Sequence, residues 1–207
     1  MYRFARTGRL TGPESLAWAR KIGARAAKVT GRENVLWAST FSPGLGNVAW
    51  VSFWDDFETM GAAFSELGRD AKFAALSAEG VEHVRSIDDR LSNVLYDSSA
   101  DAGSPRYLWE TTGVLRAGAI ARGVLVGIEI AMKYHDVTGR PSVFARDLSG
   151  DFGGVRWFLS YDSLADVDTA EGRTGADLSW VELLDSSEGC YVDGAGTATS
   201  TIYQRVG

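Results

Sequence analysis

Few side chains in this sequence are equipped for chemistry, and they are unevenly placed. His83 and His135 are its two histidines, the residue type that titrates near neutral pH without help. His135 stands in Lys-Tyr-His-Asp, near the end of a predicted helix, where the helix dipole favours a cation. That position suits a base at a site, and equally a surface histidine in a last helical turn. Arg156 interrupts an apolar run between Val155 and Trp157. A guanidinium buried there needs a carboxylate or an anionic ligand, unless the strand lies at an edge with the head group in water. Tyr161 ends the same run. His135, Arg156 and Tyr161 are the set expected to orient and deprotonate a substrate.

Large aromatics form the second group. Trp37, Phe41, Trp50, Trp54, Trp109, Trp157 and Tyr161 either line a pocket for a flat aromatic molecule or fill the core, where such side chains usually go. Asn47 and Asn93 suit a substrate carbonyl, and also turns and strand edges. The substrate-binding set is therefore Trp37, Trp50, Trp54, Trp109, Trp157, Asn47 and Asn93. The single cysteine, Cys190, excludes an intrachain disulfide and a multi-cysteine zinc site. No His–carboxylate spacing suggests zinc or non-haem iron. The glycine-rich stretches 43–46 and 150–154 join two predicted strands, whereas a phosphate loop opens a helix. A Gly-x-Ser-x-Gly elbow is missing, so nucleophilic catalysis has no support. The sequence implies neither a metal nor a cofactor.

Composition bounds the partners. A chain of 207 residues, 45% hydrophobic and 11% aromatic, can bury a sizeable core. Its net charge of −6 and pI near 5.0 argue against a nucleic-acid surface, which needs clustered Lys and Arg. The longest apolar stretch, Gly123 to Met132, is interrupted by Glu129 and is far shorter than the roughly 20 residues a membrane span needs. Residues 1–7 lack the apolar centre of a signal peptide, and a cytoplasmic protein is expected.

The elements that position these residues follow from periodicity. Residues 2–10 read as a strand, and Thr11-Gly12-Pro13-Glu14 as a helix start with a capping residue and an early proline. Leu16, Ala19, Ile22, Gly23, Ala26 and Val29 then recur at helical spacing until Gly31. Val35–Phe41 and 47–54 read as a hairpin of strands. Asp55 or Asp56 caps a helix that carries Phe57, Met60, Phe64 and Leu67 to Gly68, and a further helical piece carries Phe73 and Leu76. Leu91–Tyr96 is a fourth strand. The order is β-α-β-β-α-β, the ferredoxin-like arrangement.

The same order then returns. Val48 is matched by Val155, Trp50 by Trp157, Trp54 by Tyr161 and Asp55 by Asp162, all at one constant spacing. The expected organisation is a first repeat over 1–97, a linker over 98–105 and a second repeat over 106–207. In the second, a helix occupies 116–135, strands occupy Ser142–Leu148 and 154–161, Asp162 or Ser163 caps the next helix, and Thr197–Val206 is the last strand. The third strand of the first repeat carries Val48, Trp50, Ser52 and Trp54 on one face and Ala49, Val51 and Phe53 on the other. Both faces are largely apolar, so a sheet with helices on one side needs a second cover, and the sheet of the other repeat supplies it.

This tandem pattern, with its Trp-rich third strand, resembles the dimeric α/β-barrel superfamily over nearly the whole chain. The resemblance implies an α+β fold of two ferredoxin-like repeats packed sheet to sheet as an intramolecular barrel. Members of that superfamily include antibiotic-biosynthesis monooxygenases, NIPSNAP-like and stress-responsive proteins, and haem-binding families. It implies a protein that binds a small apolar or aromatic molecule, with oxidation of an aromatic or polyketide-like substrate by a cofactor-independent monooxygenase as the first reading. A non-catalytic ligand-binding or stress-response protein is the second, and a haem protein ligated by His135 the third. Divergence at Ala49/Arg156 and His83/Cys190 places the expected pocket in one repeat, the second. Homo-oligomerisation is compatible with the pattern and is not specified by it.

Overall fold

The structure is a computed structural model and describes residues 1–42, 46–99, 103–194 and 197–206. The turn expected at 43–46, apart from Gly46, lies outside the described residues. So do residues 100–102 of the expected linker and Ala195 and Gly196 before the last strand. The elements are β1 (Tyr2–Leu10), α1 (Ser15–Thr30), β2 (Val35–Phe41), β3 (Asn47–Trp54), α2 (Phe57–Arg69), α3 (Ala71–His83) and β4 (Val84–Asp97), then β5 (Tyr107–Val114), α4 (Ile120–Thr138), β6 (Ser142–Asp147), β7 (Gly154–Tyr161), α5 (Leu164–Ala176), α6 (Leu178–Ser186) and β8 (Thr199–Arg205). The fold is α+β, and the hydrogen-bonded strand order β1-β3-β2-β8-β5-β7-β6-β4 closes into a barrel. Each half follows the ferredoxin-like order, its second helix divided in two.

Two compact units make up the chain: Met1–Ser92 with Gln204–Gly207, and Asn93–Tyr203. The division falls within β4 and within β8, whereas the sequence reading puts it after β4.

In the first unit, β3 is the central strand. It pairs antiparallel with β1 from Tyr2↔Trp54 to Arg9↔Asn47, and with β2 from Val35↔Val51 to Ala38↔Val48. Residues 48–52 are buried on both faces, as the double apolar pattern requires, while Phe53 is exposed. Trp50 Nε1 donates to the Ala19 carbonyl at 2.8 Å and so fastens α1 to the sheet. Trp18 of α1 stands edge-on to Trp50, and its own Nε1 donates to the Leu76 carbonyl of α3 at 2.9 Å. Asp70 ends α2 and caps α3 by accepting from Phe73 N, and it pairs with Arg25 of α1. That guanidinium and the capping bond hold the Asp70 carboxyl down at about 2.

The second unit repeats the plan. β7 pairs antiparallel with β5 from Tyr107↔Tyr161 to Val114↔Gly154, and with β6 from Ser142↔Leu159 to Arg146↔Val155. Trp157 Nε1 donates to the Gly127 carbonyl of α4 at 2.9 Å. Ser142 Oγ donates to the Ala131 carbonyl at 2.6 Å. Ser163 rather than Asp162 caps α5, in a reciprocal capping box with Asp166.

Three local expectations change. Thr11 does not cap α1, which begins at Ser15. Its hydroxyl bonds the Ser15 hydroxyl and the Glu82 carbonyl instead, and 12–14 form a tight turn that leads into the helix. β4 begins at Val84, seven residues before the expected strand. Its first half, Val-Arg-Ser-Ile-Asp-Asp-Arg, lacks apolar alternation and is held through polar bonds to β1: Arg6 Nε to Asp89 at 2.7 Å and Thr7 Oγ1 to the Asp88 carbonyl at 3.2 Å. The first helix of the second half begins at Ile120 rather than 116, runs to Thr138, past the expected end at 135, and stops on Gly139 in the left-handed conformation.

Helix α4 approaches its sheet through glycine. A Cβ on Gly127 would lie 2.4 Å from the ring of Phe144, which is fully buried and cannot turn away. On α2, by contrast, a Cβ on Gly61 meets nothing. Gly127→Ala is expected to lower the urea midpoint at constant slope, a loss of about 1–3 kcal/mol from overpacking. Gly61→Ala is expected to raise it by about 0.5–1 kcal/mol through helix propensity alone. Equilibrium unfolding followed by circular dichroism measures both.

Candidate functional site

Each unit contains a cavity under its helices, and corresponding positions line both. Trp50, Ser52, Phe64, Phe73 and Ser77 line the first; Trp157, Leu159, Glu171, Trp180 and Leu184 stand at the same spacing in the second. The first encloses about 780 Å³ and the second about 450 Å³. Both fall within the range of small-molecule pockets, roughly 300–1,000 Å³. The expectation of a pocket in the second half alone is therefore corrected. The large aromatics that hold the helices off the sheet do so in both halves.

The second-unit cavity has the chemistry. Trp109, opposite Leu159 in the β5–β7 ladder, presents an indole. Tyr191 reaches the cavity because its segment is tied to the end of β5. Arg116 N donates to the Cys190 carbonyl and Val192 N to the Val114 carbonyl, each at 2.8 Å, and Leu115 bridges Tyr191. The Tyr191 ring packs edge-on against Trp157, with centroids 5.8 Å apart. Trp109 Nε1 and the Tyr191 hydroxyl are both buried and make no hydrogen bond among the described residues. A buried donor left unmet costs about 1–3 kcal/mol, and both of these belong to residues of the same cavity wall. Burial, and secondarily Cys190, pushes the Tyr191 phenol well above its ordinary range, so it is a donor at every working pH.

Glu171 of α5 supplies the carboxylate. Glu171 is exposed at the cavity rim, and desolvation by the surrounding protein raises its pKa above the ordinary value, the direction that makes a stronger base near neutrality. Tyr134 of α4 also lines the cavity, stacked edge-on against Trp180, and its hydroxyl is hydrogen-bonded to that of Tyr161. Burial pushes Tyr134 up to about 12 and Tyr161 higher still.

The other residues singled out from sequence are dispersed. Trp50 and Trp54 line the first cavity, and Trp109 and Trp157 the second. Tyr161 stands behind Tyr134. Arg156 is held by Glu110 at 2.5 Å and Asp147 at 3.0 Å, and although burial opposes its charge, the two carboxylates outweigh that and raise its pKa. That ion cluster satisfies the buried guanidinium without a ligand. His135 closes the last turn of α4, where its Nδ1 donates to the Arg140 carbonyl at 3.0 Å. It does not belong to the lining of the second-unit cavity. Trp37 is buried on β2 opposite Ala49, Phe41 is exposed, and Asn93 is half-buried on β4. Asn47 borders a third recess beside Arg9 and Leu10. No group of three or more metal-ligating side chains occurs among the described residues, and no described helix is long and apolar enough to cross a membrane.

Glu171, Tyr191 and Tyr134 were missed in the sequence. Glu171 had a signal: it takes the position of Phe64 in the first half, a carboxylate where the repeat has an aromatic. Tyr191 had none, since it sits in an irregular segment whose course is set by bonds to β5.

No protein-family model matches the chain, and no curated protein is significantly similar to it in sequence. Solved structures share the fold. An anthrone oxidase-like protein superposes with a TM-score of 0.69 at 13% identity, over 100% of this chain and 91% of that one. A candidate monooxygenase of Fusobacterium nucleatum subsp. nucleatum gives 0.72 at 10%, over 100% and 92%. A mutant chlorite dismutase from Candidatus Nitrospira defluvii gives 0.56 at 9%, over 98% and 91%. The fold is thus the dimeric α/β barrel, formed within one chain.

If the Tyr191 hydroxyl is an unmet donor, Tyr191→Phe leaves the ligand-free protein as stable as the wild type or more stable, by up to about 1 kcal/mol. Urea unfolding of the two proteins checks this; a loss of stability would mean that the hydroxyl already has a partner.

Proposed function

We propose that this barrel binds a flat, largely apolar ketone in the second-unit cavity and oxidises it with dioxygen without a cofactor. The observation that carries the reading is the placement of two unmet buried donors, Trp109 Nε1 and the Tyr191 hydroxyl, in one apolar cavity with Glu171. Donors that have no partner at rest are preorganised for charge that develops on a substrate oxygen. The fold shared with an anthrone oxidase-like protein and a candidate monooxygenase supports the same class.

In this mechanism Glu171 removes a proton from a carbon activated by the bound carbonyl and its aromatic rings. The resulting negative charge spreads onto the oxygen held by Trp109 and Tyr191. That electron-rich carbanion reduces dioxygen, and a carbon–oxygen bond forms. The peroxide takes the proton back from Glu171 and loses water, which leaves a second carbonyl. The overall change converts a CH₂ and O₂ into C=O and H₂O, four electrons lost by carbon and four gained by oxygen. Tyr134 and Tyr161 remain protonated and fix the wall behind the ring system. Arg156 anchors β7 to β5 and β6 through Glu110 and Asp147 as a positioning residue. The repeated element order and the repeated indole-to-helix bond support an origin of the two halves by duplication.

Anthrone in an oxygen electrode tests the reading. One dioxygen is expected to be consumed per anthrone, with kcat lowered about 10²–10⁴-fold in Glu171→Gln. A base must be deprotonated, so kcat falls with acid through a pKa above the ordinary carboxylate range and is level above it. Anthrone binding without oxygen uptake would make the protein a passive binder and sink the catalytic reading.

A further inference from the structure

The first-unit cavity is larger than the site just assigned and is not used by it. We propose that it is a second ligand site, selective for a flat aromatic molecule that carries a hydroxyl group, such as a phenol. Three observations on its wall support this. Asn34 Oδ1 is buried there and accepts no hydrogen bond among the described residues. Ser52 Oγ, also in the wall, accepts from Trp54 Nε1 at 2.9 Å, which leaves its own proton free to donate. Aromatic rings form much of the remaining wall: Trp54 and Phe4 each pack edge-on against Phe64, and Trp18 stands edge-on to Trp50, with aliphatic side chains, Arg6 and Arg85 completing it.

An unmet acceptor selects for a ligand donor, as the unmet donors of the second unit select for a ligand acceptor. A phenolic hydroxyl suits both polar groups, since it donates to an oxygen such as Asn34 Oδ1 and accepts from a hydroxyl such as Ser52. Its ring meets faces and edges of indole and phenyl groups, where stacking adds to burial. A ketone or quinone of the same size has no donor for Asn34. The two cavities therefore sort ligands by polarity: hydroxyl in the first, carbonyl in the second. Nothing in the wall supplies a carboxylate equivalent to Glu171, because Phe64 holds that position. The first site is a binding site and not a second copy of the reaction.

Calorimetric titration with 2-naphthol, and with 2-methoxynaphthalene as the ether that cannot donate, tests the proposal. Asn34→Leu keeps the shape and removes the acceptor. Ser77→Trp, from an exposed position on α3 at the cavity wall, fills the space. The wild type is expected to bind 2-naphthol at a site that Ser77→Trp abolishes, Asn34→Leu weakens about tenfold and Tyr191→Phe leaves unchanged. The ether is expected to bind with an affinity that Asn34→Leu does not alter. No binding of 2-naphthol to the wild type, binding that survives Ser77→Trp, or equal affinity in Asn34→Leu would each overturn it. None of these outcomes bears on oxygen uptake with anthrone, so the two sites stand or fall separately.

Discussion

The bond from a third-strand tryptophan to a helix carbonyl is the interaction on which both halves depend. Trp50 donates to Ala19 and Trp157 to Gly127. A helix carbonyl has a second lone pair after its own i→i+4 bond, so it accepts an indole N–H at no cost to the helix. The indole in turn cannot be buried without a partner. The two requirements meet in one contact, which fixes the distance and the rotation of the first helix over the sheet. Glycine makes the approach possible: a Cβ on Gly23 would come within 2.9 Å of Trp50.

That contact also explains why each half has a cavity. An indole bonded to the first helix occupies one end of the space between helices and sheet, and Trp50 and Trp157 each line the cavity of their own half. The second pair of helices closes over the gap without filling it, and neither α2 nor α3 buries a large side chain. Space lined by aromatic walls follows from the scaffold, whereas polarity is added side chain by side chain. In the second unit those additions are unmet donors and a carboxylate; in the first, an unmet acceptor.

The architecture was legible in the sequence because it is written in periodic features. Trp50 and Trp157 announced the two central strands, and helical spacing announced α1. The spacing that matches them also places the first residues of β2 and β6, β3 and β7, α2 and α5, and α3 and α6 in register. What was not legible depends on contacts that carry no period. The first half of β4 is a strand because it closes the barrel beside β1, with Arg6 and Thr7 bonding it, although four of its seven residues are charged. For Arg156 the sequence left open a paired guanidinium, a ligand-binding one and one at a strand edge in water, and its partners, Glu110 and Asp147, come from two other strands. Once they neutralise it, no charge is left for a substrate. His135 was attractive for its residue type, and local geometry turns its ring to a backbone carbonyl.

Comparison of the halves position by position separates packing from added polarity better than residue type does. Where two units share a scaffold, a position that keeps its aromatic in both is explained by packing, as with Trp50 and Trp157. A position that changes character is explained by what its own cavity does. Phe64 packs against Phe4 and Trp54, and its counterpart Glu171 is an exposed carboxylate at the rim of a cavity, its pKa raised by desolvation. Ser52 becomes Leu159, which removes a hydroxyl from the same wall. These two exchanges at matched sites add a carboxylate to the second cavity and take a hydroxyl from its wall, and a third, Asn34 to Pro141, takes away the acceptor. The donors Trp109 and Tyr191 are supplied separately, by β5 and by the irregular segment tied to its end.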